Sequence, residues 1–366
     1  MLKVAIITFH RAINFGAALQ TYALLTYLRG FGYDVEVLDY RSRAIEDSYK
    51  IKWALNAYFL KRAFLAPMLL KKRGKFYRFI DERIPHTRSL STYDELKQAA
   101  RKYDFIITGS DQVWNSQWTN GDDAYLLDFC EDEQKISYAA SIGKSDVTEE
   151  EKARLCRYLS HFKKLSVREK TGKAILERLI PNETTVNCDP VALLTRDEWE
   201  KAAVPPKEKN YVLIYMLVNS ETLMNAAIAY AQTAGKRVLL INDNLRRRFS
   251  AIYKRFLSPE EFLGLFRNAD CIFTNSFHGT MFSIIFEKEV HVELQKYKDA
   301  PNSRFTDLLE TLGMEGVIFD ETTSPKTATT PNYAFVKEKI RLMQEETRRY
   351  FESAFERGEG RGSRKE

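Results

Sequence analysis

The 366-residue chain is 44% apolar and 29% charged, with a formal charge of +6. Its length favours two hydrophobic cores over one, and its composition, with 23 Phe and 19 Tyr, excludes a disordered chain. The small positive excess favours anionic partners without choosing among nucleic acid, phosphometabolite and membrane. Cys130, Cys156, Cys188 and Cys271 are scattered with no CxxC, so neither a zinc cluster nor a redox pair is expected, and a reducing cytoplasmic location fits. The apolar run in "MLKVAIITFH" is too short for a signal-peptide core, and no stretch reaches the roughly 18 apolar residues of a membrane span.

In chain order, "VAIITF" (Val4 to Phe9) reads as a buried strand, "GAALQTYALLTYLRGFG" as a helix closed by glycine, and "DVEVLDY" (Asp34 to Tyr40) as a second strand. From Tyr49 to Ile80 nine Lys or Arg and no acid are interleaved with Trp53, Leu55, Phe59, Phe64 and Leu69. This is either a basic helical insertion, about 49–80, that meets anionic lipid headgroups, or a solvated insertion packed over a cleft. "DFIITGS", "KISYAAS" and "TTVNCDP" add strands with room for helical crossovers. Pro205 and Pro206 among charges mark a linker. The alternation then resumes with "YVLIYML", a helix from Glu221 to Ala234, "RVLLIN", a helix opened by Ser258 and Pro259, "CIFTNS", a helix through "GTMFSIIFEK", "VHVEL" and a helix through "SRFTDLLETLG". The expected organisation is α/β: an N-terminal Rossmann-like domain (1–200), a C-terminal one (201–330), a closing helix (331–357) and a disordered tail (358–366).

Open α/β sheets bind ligands at the carboxyl ends of strands. "CIFTNSFHGT" puts Asn275, Ser276 and His278 at such an end, with Gly279 and Thr280 opening the next helix; an anion docks there, or His278 is a helix-capping histidine. The matching loop of the first domain, "HRAINFGAALQ", offers Asn14, Gly16 and Gln20 as cleft wall or as plain capping chemistry, and its lack of GxGxxG leaves dinucleotide binding unsupported. After "DFIIT", the residues Ser110, Asp111, Gln112, Trp114 and Asn115 combine carboxylate, amide and indole as in sugar recognition, or form a polar turn with Trp114 in the core. Arg168 in "LSVREKTG" is a guanidinium that clamps carboxylate or phosphate, or pairs with Glu169. "NCDPV" reads as structural, with Asp189 satisfying local N–H groups beside Pro190. No His and carboxylate spacing makes a metal ligand set.

Taken in order, "NFGAALQTYALLTYL", "DFIITGSDQVWN", "SYAASIG", "LSVREK", "CDPVALLTRDEW", "NSFHGTMFSIIFEK" and "NSRFTDLLETLG" resemble the recurring blocks of the polysaccharide pyruvyl transferase family, over almost all of the chain up to Gly313. The resemblance implies two Rossmann-like domains facing a cleft, as in GT-B glycosyltransferases. It also implies transfer of pyruvate from phosphoenolpyruvate to two hydroxyls of one sugar as a ketal, with phosphoenolpyruvate as co-substrate, no cofactor and no nucleic acid. His278 and Arg168 match the family's histidine and arginine; Asn275, Ser276, Gly279 and Thr280 fall on the donor side, and Asn14, Gly16, Gln20 and the Ser110–Asn115 group on the acceptor side. Some members carry Arg-Leu before this histidine, where this chain has Ser276-Phe277, so Lys298 or Arg304 is expected to supply the missing charge. The acceptor implied is a surface-polysaccharide or glycolipid precursor, with peripheral contact at the inner membrane face. The competing readings are a GT-B-like glycosyltransferase using a nucleotide sugar and a non-catalytic sugar-phosphate binding protein.

Overall fold

The computed structural model describes residues 1–49, 58–144, 146–243, 249–296, 302–320 and 331–356. The first lobe runs β1 (Lys3–Ile7), α1 (Phe15–Gly30), β2 (Asp34–Val37), α2 (Arg43–Tyr49), α3 (Tyr58–Arg83), α4 (Tyr93–Ala100), β3 (Phe105–Asp111), α5 (Ser116–Thr119), β4 (Lys135–Ala140), α6 (Glu149–Leu159), β5 (Leu165–Val167), α7 (Lys170–Leu179), β6 (Thr184–Val186) and α8 (Arg196–Ala202). The second runs β7 (Tyr211–Tyr215), α9 (Glu221–Thr233), β8 (Arg237–Ile241), β9 (Ile252–Lys254), α10 (Pro259–Asn268), β10 (Cys271–Thr274), α11 (Phe277–Ile285), β11 (Glu289–Glu293), α12 (Ser303–Leu312) and β12 (Ile318–Phe319), and α13 (Tyr333–Ala354) follows.

Each lobe holds one six-stranded sheet, ordered β2-β1-β3-β4-β5-β6 and β12-β11-β10-β7-β8-β9, and every pairing is parallel. Helical crossovers cover both faces, which is why the central strands are continuous apolar runs: the side chains of "YVLIY" in β7 are all buried. Strand order reverses between β1 and β3 in the first sheet and between β7 and β10 in the second, so each lobe opens a crevice at the carboxyl ends of those pairs. The architecture is therefore α/β, with two Rossmann-like lobes of the GT-B kind.

Local signals fix the helix starts that aim at the crevices. Asn14 caps α1 by accepting from the Ala17 N–H at 3.3 Å, and Ser258 with Glu261 closes a reciprocal capping box on α10 with Pro259 at its first position. The expected strands appear, while three short ones, β5, β9 and β12, lie where the sequence carries only a short apolar segment or no distinct strand signal.

The lobes share one apolar core. Phe15 of α1 stacks on Phe262 of α10 with ring centroids 4.3 Å apart, and Phe76 and Tyr215 pack around them. Two helices strap the lobes together. On α3, Phe76, Phe79 and Ile80 are buried, while Lys72 reaches Asp243 and Lys75 reaches Glu261, each at 2.6 Å. Part of the acid-free basic stretch thus finds its counter-charges on the other lobe; residues 50–57 lie outside the described residues. The closing helix α13 begins against the second lobe, where the Tyr333 hydroxyl donates to the Lys288 carbonyl. It ends on the first lobe, where Phe351 stacks on Tyr138 at 4.8 Å and the Tyr350 hydroxyl donates to the Ser137 carbonyl at 2.6 Å. The expected tail, 358–366, lies outside the described residues. Among the described residues no helix is long and apolar enough to cross a membrane.

Candidate active site

The turn after β10 enters α11 through Ser276, whose hydroxyl accepts from the Gly279 N–H at 3.3 Å. Its other polar groups are used internally. Asn275 accepts from the Leu217 N–H at 2.9 Å and donates to the Val218 carbonyl at 2.7 Å, tying the ends of β7 and β10 together. The Thr280 hydroxyl returns to the Ser276 carbonyl at 3.1 Å, and a Cβ on Gly279 would lie 2.4 Å from Thr274 Oγ1. Of the donor-side residues expected around His278, these four therefore build the turn; their side chains are not presented to a ligand. Lys298 lies outside the described residues.

What the turn exports is the His278 imidazole. The ring presses on the start of α1: a Cβ at Gly16 would stand 2.1 Å from His278 Nδ1, so glycine is the residue that lets the lobes meet here. Its Nε2 lies 3.5 Å from Asp189 Oδ2 and has no hydrogen-bond partner.

Asp189 follows β6 and joins three elements. Its Oδ1 accepts from the Val191 N–H at 3.1 Å, the local capping read from the sequence. Its Oδ2 also accepts from Arg168 Nη1 at 2.8 Å. Burial pushes the Asp189 carboxyl up, but the charges of His278 and Arg168 outweigh it and hold the pKa well below the ordinary carboxylate range. Arg168, which follows β5, is also buried; its Nε lies 3.5 Å from Glu169 Oε2, and Glu169 in turn accepts from Ser141 at 2.5 Å. Burial acts against the Arg168 charge, and Asp189, Glu169 and Asp111 together keep it in place. Nε and Nη2 of Arg168 make no hydrogen bond. Of the two expected readings of Arg168, the ion pair is present, to Asp189 and Glu169.

Two cavities flank this chain of charges. The larger, about 180 Å³, is walled by Arg168, Asp189, Phe277 and, from α12, Arg304. The guanidinium carbons of Arg168 and Arg304 lie 5.1 and 5.5 Å from the Phe277 ring centroid, so Phe277 is the apolar surface between two cations. The smaller, about 110 Å³, is lined by Asn14, Asp111, Gln112 and Trp118 among others. His278 lines neither cavity itself: it lies beside Asp189, which walls the first, and against Gly16, whose chain neighbours Asn14 and Ala17 line the second.

The remaining acceptor-side expectations divide. Gln20 is fully buried and donates to Thr8 Oγ1 and the Ala17 carbonyl inside the lobe. Ser110 is fully buried. Trp114 is 4% exposed and donates its indole N–H to the Tyr125 carbonyl at 3.2 Å, so it is core and cannot offer a face to a sugar. Asn115 caps α5 through the Gln117 N–H and donates to Gln112 Oε1 at 2.8 Å. The aromatics lining the cavity are the buried Phe9 and Trp118, the latter 53% exposed with its indole N–H on Gln112 Oε1 at 3.0 Å. Sequence reading passed over Trp118, Asp189, Glu169 and Ser141 as site residues. Applying the strand-end rule to "TTVNCDP" and "SYAAS" flags Asp189 and Ser141; for Trp118 no local signal separates it from Trp114.

Solved structures with this architecture include the UDP-GlcNAc 2-epimerase of Neisseria meningitidis bound to UDP-GlcNAc, 10% identical over 97% of this chain and 94% of that one, with a TM-score of 0.50. Another is the Anabaena protein HepE in complex with UDP and glucose, 9% identical over 96% and 100% of the two chains, also at 0.50. At such identity the likeness is one of fold. No curated protein matches the chain. The profile described as polysaccharide pyruvyl transferase matches residues 14–292, a span that takes in Arg168, Asp189, His278 and every element that carries them. The chain belongs to the polysaccharide pyruvyl transferase family.

Proposed function

We propose that the protein transfers pyruvate from phosphoenolpyruvate to two hydroxyls of one sugar as a ketal. The observation that carries this reading is Arg168, a buried guanidinium on the wall of the larger cavity with two nitrogens making no hydrogen bond. A buried donor without an acceptor is costly, and an anion relieves it. A volume of about 180 Å³ is below the roughly 300–1,000 Å³ of pockets that hold drug-sized ligands, which favours a three-carbon phosphate over a nucleotide sugar. Arg168 and Arg304 are assigned to its carboxylate and phosphate.

In this reading protonated His278, with Asp189 as counter-ion, gives a proton to the methylene carbon, and the carbon bearing the phosphate becomes oxocarbenium-like. One sugar hydroxyl adds there and loses its proton; the C–O bond to phosphate then breaks, and the second hydroxyl closes the ketal as it loses its own. One of the two released protons restores His278 and the other leaves with phosphate, so atoms and charge balance. The acid, the clamp and the closed lobes supply proton transfer, orientation and exclusion of water. The sugar is assigned to the smaller cavity against Trp118, Asp111 and Gln112. A lipid-linked acceptor is supported by exposed Leu69, Leu70, Lys71 and Arg78 on α3; liposome binding that survives charge reversal at Lys71 and Arg78 removes that part.

Calorimetric titration tests the donor. Phosphoenolpyruvate is expected to bind and a UDP-sugar is not; the reverse supports glycosyl transfer. Mass spectrometry of glycans from cells with and without the protein then reads the added pyruvate, and its absence despite donor binding favours the binding-only reading.

A further inference from the structure

On the face of the second sheet covered by α9, at the amino ends of β10 and β11 and so away from the cleft, three side chains of metal-ligating type converge. The register pairs Cys271 with Glu289 and Phe273 with His291, so all four side chains share one face, alternate residues along each strand. One ligand atom from each of Cys271, Glu289 and His291 falls within 4.8 Å of the other two. Residues far apart along the chain are thus brought together by β10–β11 pairing alone, which a search for His and carboxylate spacing in sequence does not detect.

Two details distinguish this group from a core histidine with a surface partner. His291 is fully buried, stacked at 4.5 Å on Phe273; although its Nε2 lies 3.2 Å from Glu289 Oε1, its Nδ1 makes no hydrogen bond. Cys271 is also fully buried, whereas the Glu289 side chain is 44% exposed and steadied by the Tyr230 hydroxyl at 2.7 Å. A buried imidazole already beside the carboxylate, a sheltered sulfur and a carboxylate that reaches solvent form the set. The nearby Lys236 ammonium is held on Asp270 at 2.8 Å.

We propose that Cys271, Glu289 and His291 bind a divalent thiophilic metal ion, with Zn2+ as the best match. Thiolate, imidazole and carboxylate suit zinc together, and three protein ligands leave the fourth tetrahedral position to water on the Glu289 side. With bonds of about 2.0–2.3 Å, tetrahedral ligand atoms stand roughly 3.3–3.8 Å apart, so side-chain rotations of about 1 Å close the set. On binding, Cys271 releases its thiol proton to solvent. The site is independent of the proposed reaction.

The test uses the full chain, stripped of metal, with Co2+ as the spectroscopic probe and Zn2+ as competitor. One equivalent of Co2+ per chain is expected to produce a thiolate-to-cobalt charge-transfer band that Zn2+ removes. Cys271→Ser is expected to abolish the band. Glu289→Gln, at a part-exposed position that does not threaten folding, is expected to weaken binding about tenfold or more. No band in the wild-type protein, a band that persists in Cys271→Ser, or equal affinity in Glu289→Gln overturns the proposal. Should Cys271→Ser fail to fold, Glu289→Gln decides.

Discussion

Asp39 and Asp189 sit after strands at opposite edges of the same sheet, each buried, each beside an arginine and a histidine, and the resemblance ends there. Around Asp39, Arg11 is fully committed: Nε and Nη2 bond the two Asp39 oxygens at 2.9 Å and Nη1 bonds Asp81 at 2.7 Å. His10 adds a contact at 2.8 Å and Arg41 one at 3.0 Å. Around Asp189, Arg168 spends only Nη1 on a hydrogen bond, and His278 stops 3.5 Å short. Arg11 is thus closed by its carboxylates, with only the neighbouring Arg41 Nε making no hydrogen bond, whereas Arg168 itself keeps two nitrogens open, and in the function proposed above an anion is their partner.

The sharpest way to break this comparison is at the histidine that stops short. His278→Gln is expected to slow ketal formation by about 10²–10⁴-fold, the usual share of a general acid, with the unfolding midpoint nearly unchanged; phosphate release in the presence of donor and acceptor measures it. Turnover near the wild-type value would remove His278 from the chemistry.

Next in size is Asp39→Asn, which leaves Arg11 short of its buried counter-charge and is expected to cost about 3–5 kcal/mol in urea unfolding, while donor affinity of the folded protein stays put. The same residue carries a pH signature. Burial pushes its carboxyl up, but hydrogen bonds from His10 and Arg11 outweigh that and leave the pKa well below the ordinary range, as the charges around Asp189 do there. Both depressed carboxyls contribute stability that is complete above the unfolded pKa of about 3.9 and lost as pH falls below it. Wild-type stability should therefore drop below about pH 4, and less steeply in Asp39→Asn; equal slopes would mean that Asp39 is not a coupled group.

Arg168→Lys keeps the charge and loses the planar fork. Phosphoenolpyruvate affinity is expected to fall about 10–100-fold by calorimetry, from lost charge-assisted hydrogen bonds of about 1.5–3 kcal/mol, with less loss of stability than Asp39→Asn. The reverse ordering would make Arg168 the structural ion and sink the contrast. Smallest is Gly16→Ala, whose methyl meets the His278 ring; about 1–3 kcal/mol of overpacking should appear as a lowered unfolding midpoint and slower turnover. Unchanged values for both would show that the lobes do not need this close contact.

Strand-end placement pointed to His278, Arg168, Asp111 and Gln112, which lie at or beside the two cavities, because a parallel sheet directs its following loops to one edge. The same rule misdirected Trp114 and Gln20. Both lie beside such loops, yet Trp114 donates to the Tyr125 carbonyl and Gln20 to Thr8 within the lobe, and no local pattern distinguishes a polar group that faces a crevice from one that satisfies its own turn.

The sequence alone determined the alternation of buried strands and capped helices, and with it two α/β lobes. Burial on both sheet faces and the four free N–H groups of a helix start leave marks on neighbouring residues. Only the tertiary structure decided which polar groups meet. Asp189 lies between Arg168 and His278 because β6 of one lobe faces α11 of the other, and Cys271 lies beside Glu289 because of strand register. Contacts between distant segments depend on how lobes and strands pack, a property that no single stretch of chain carries.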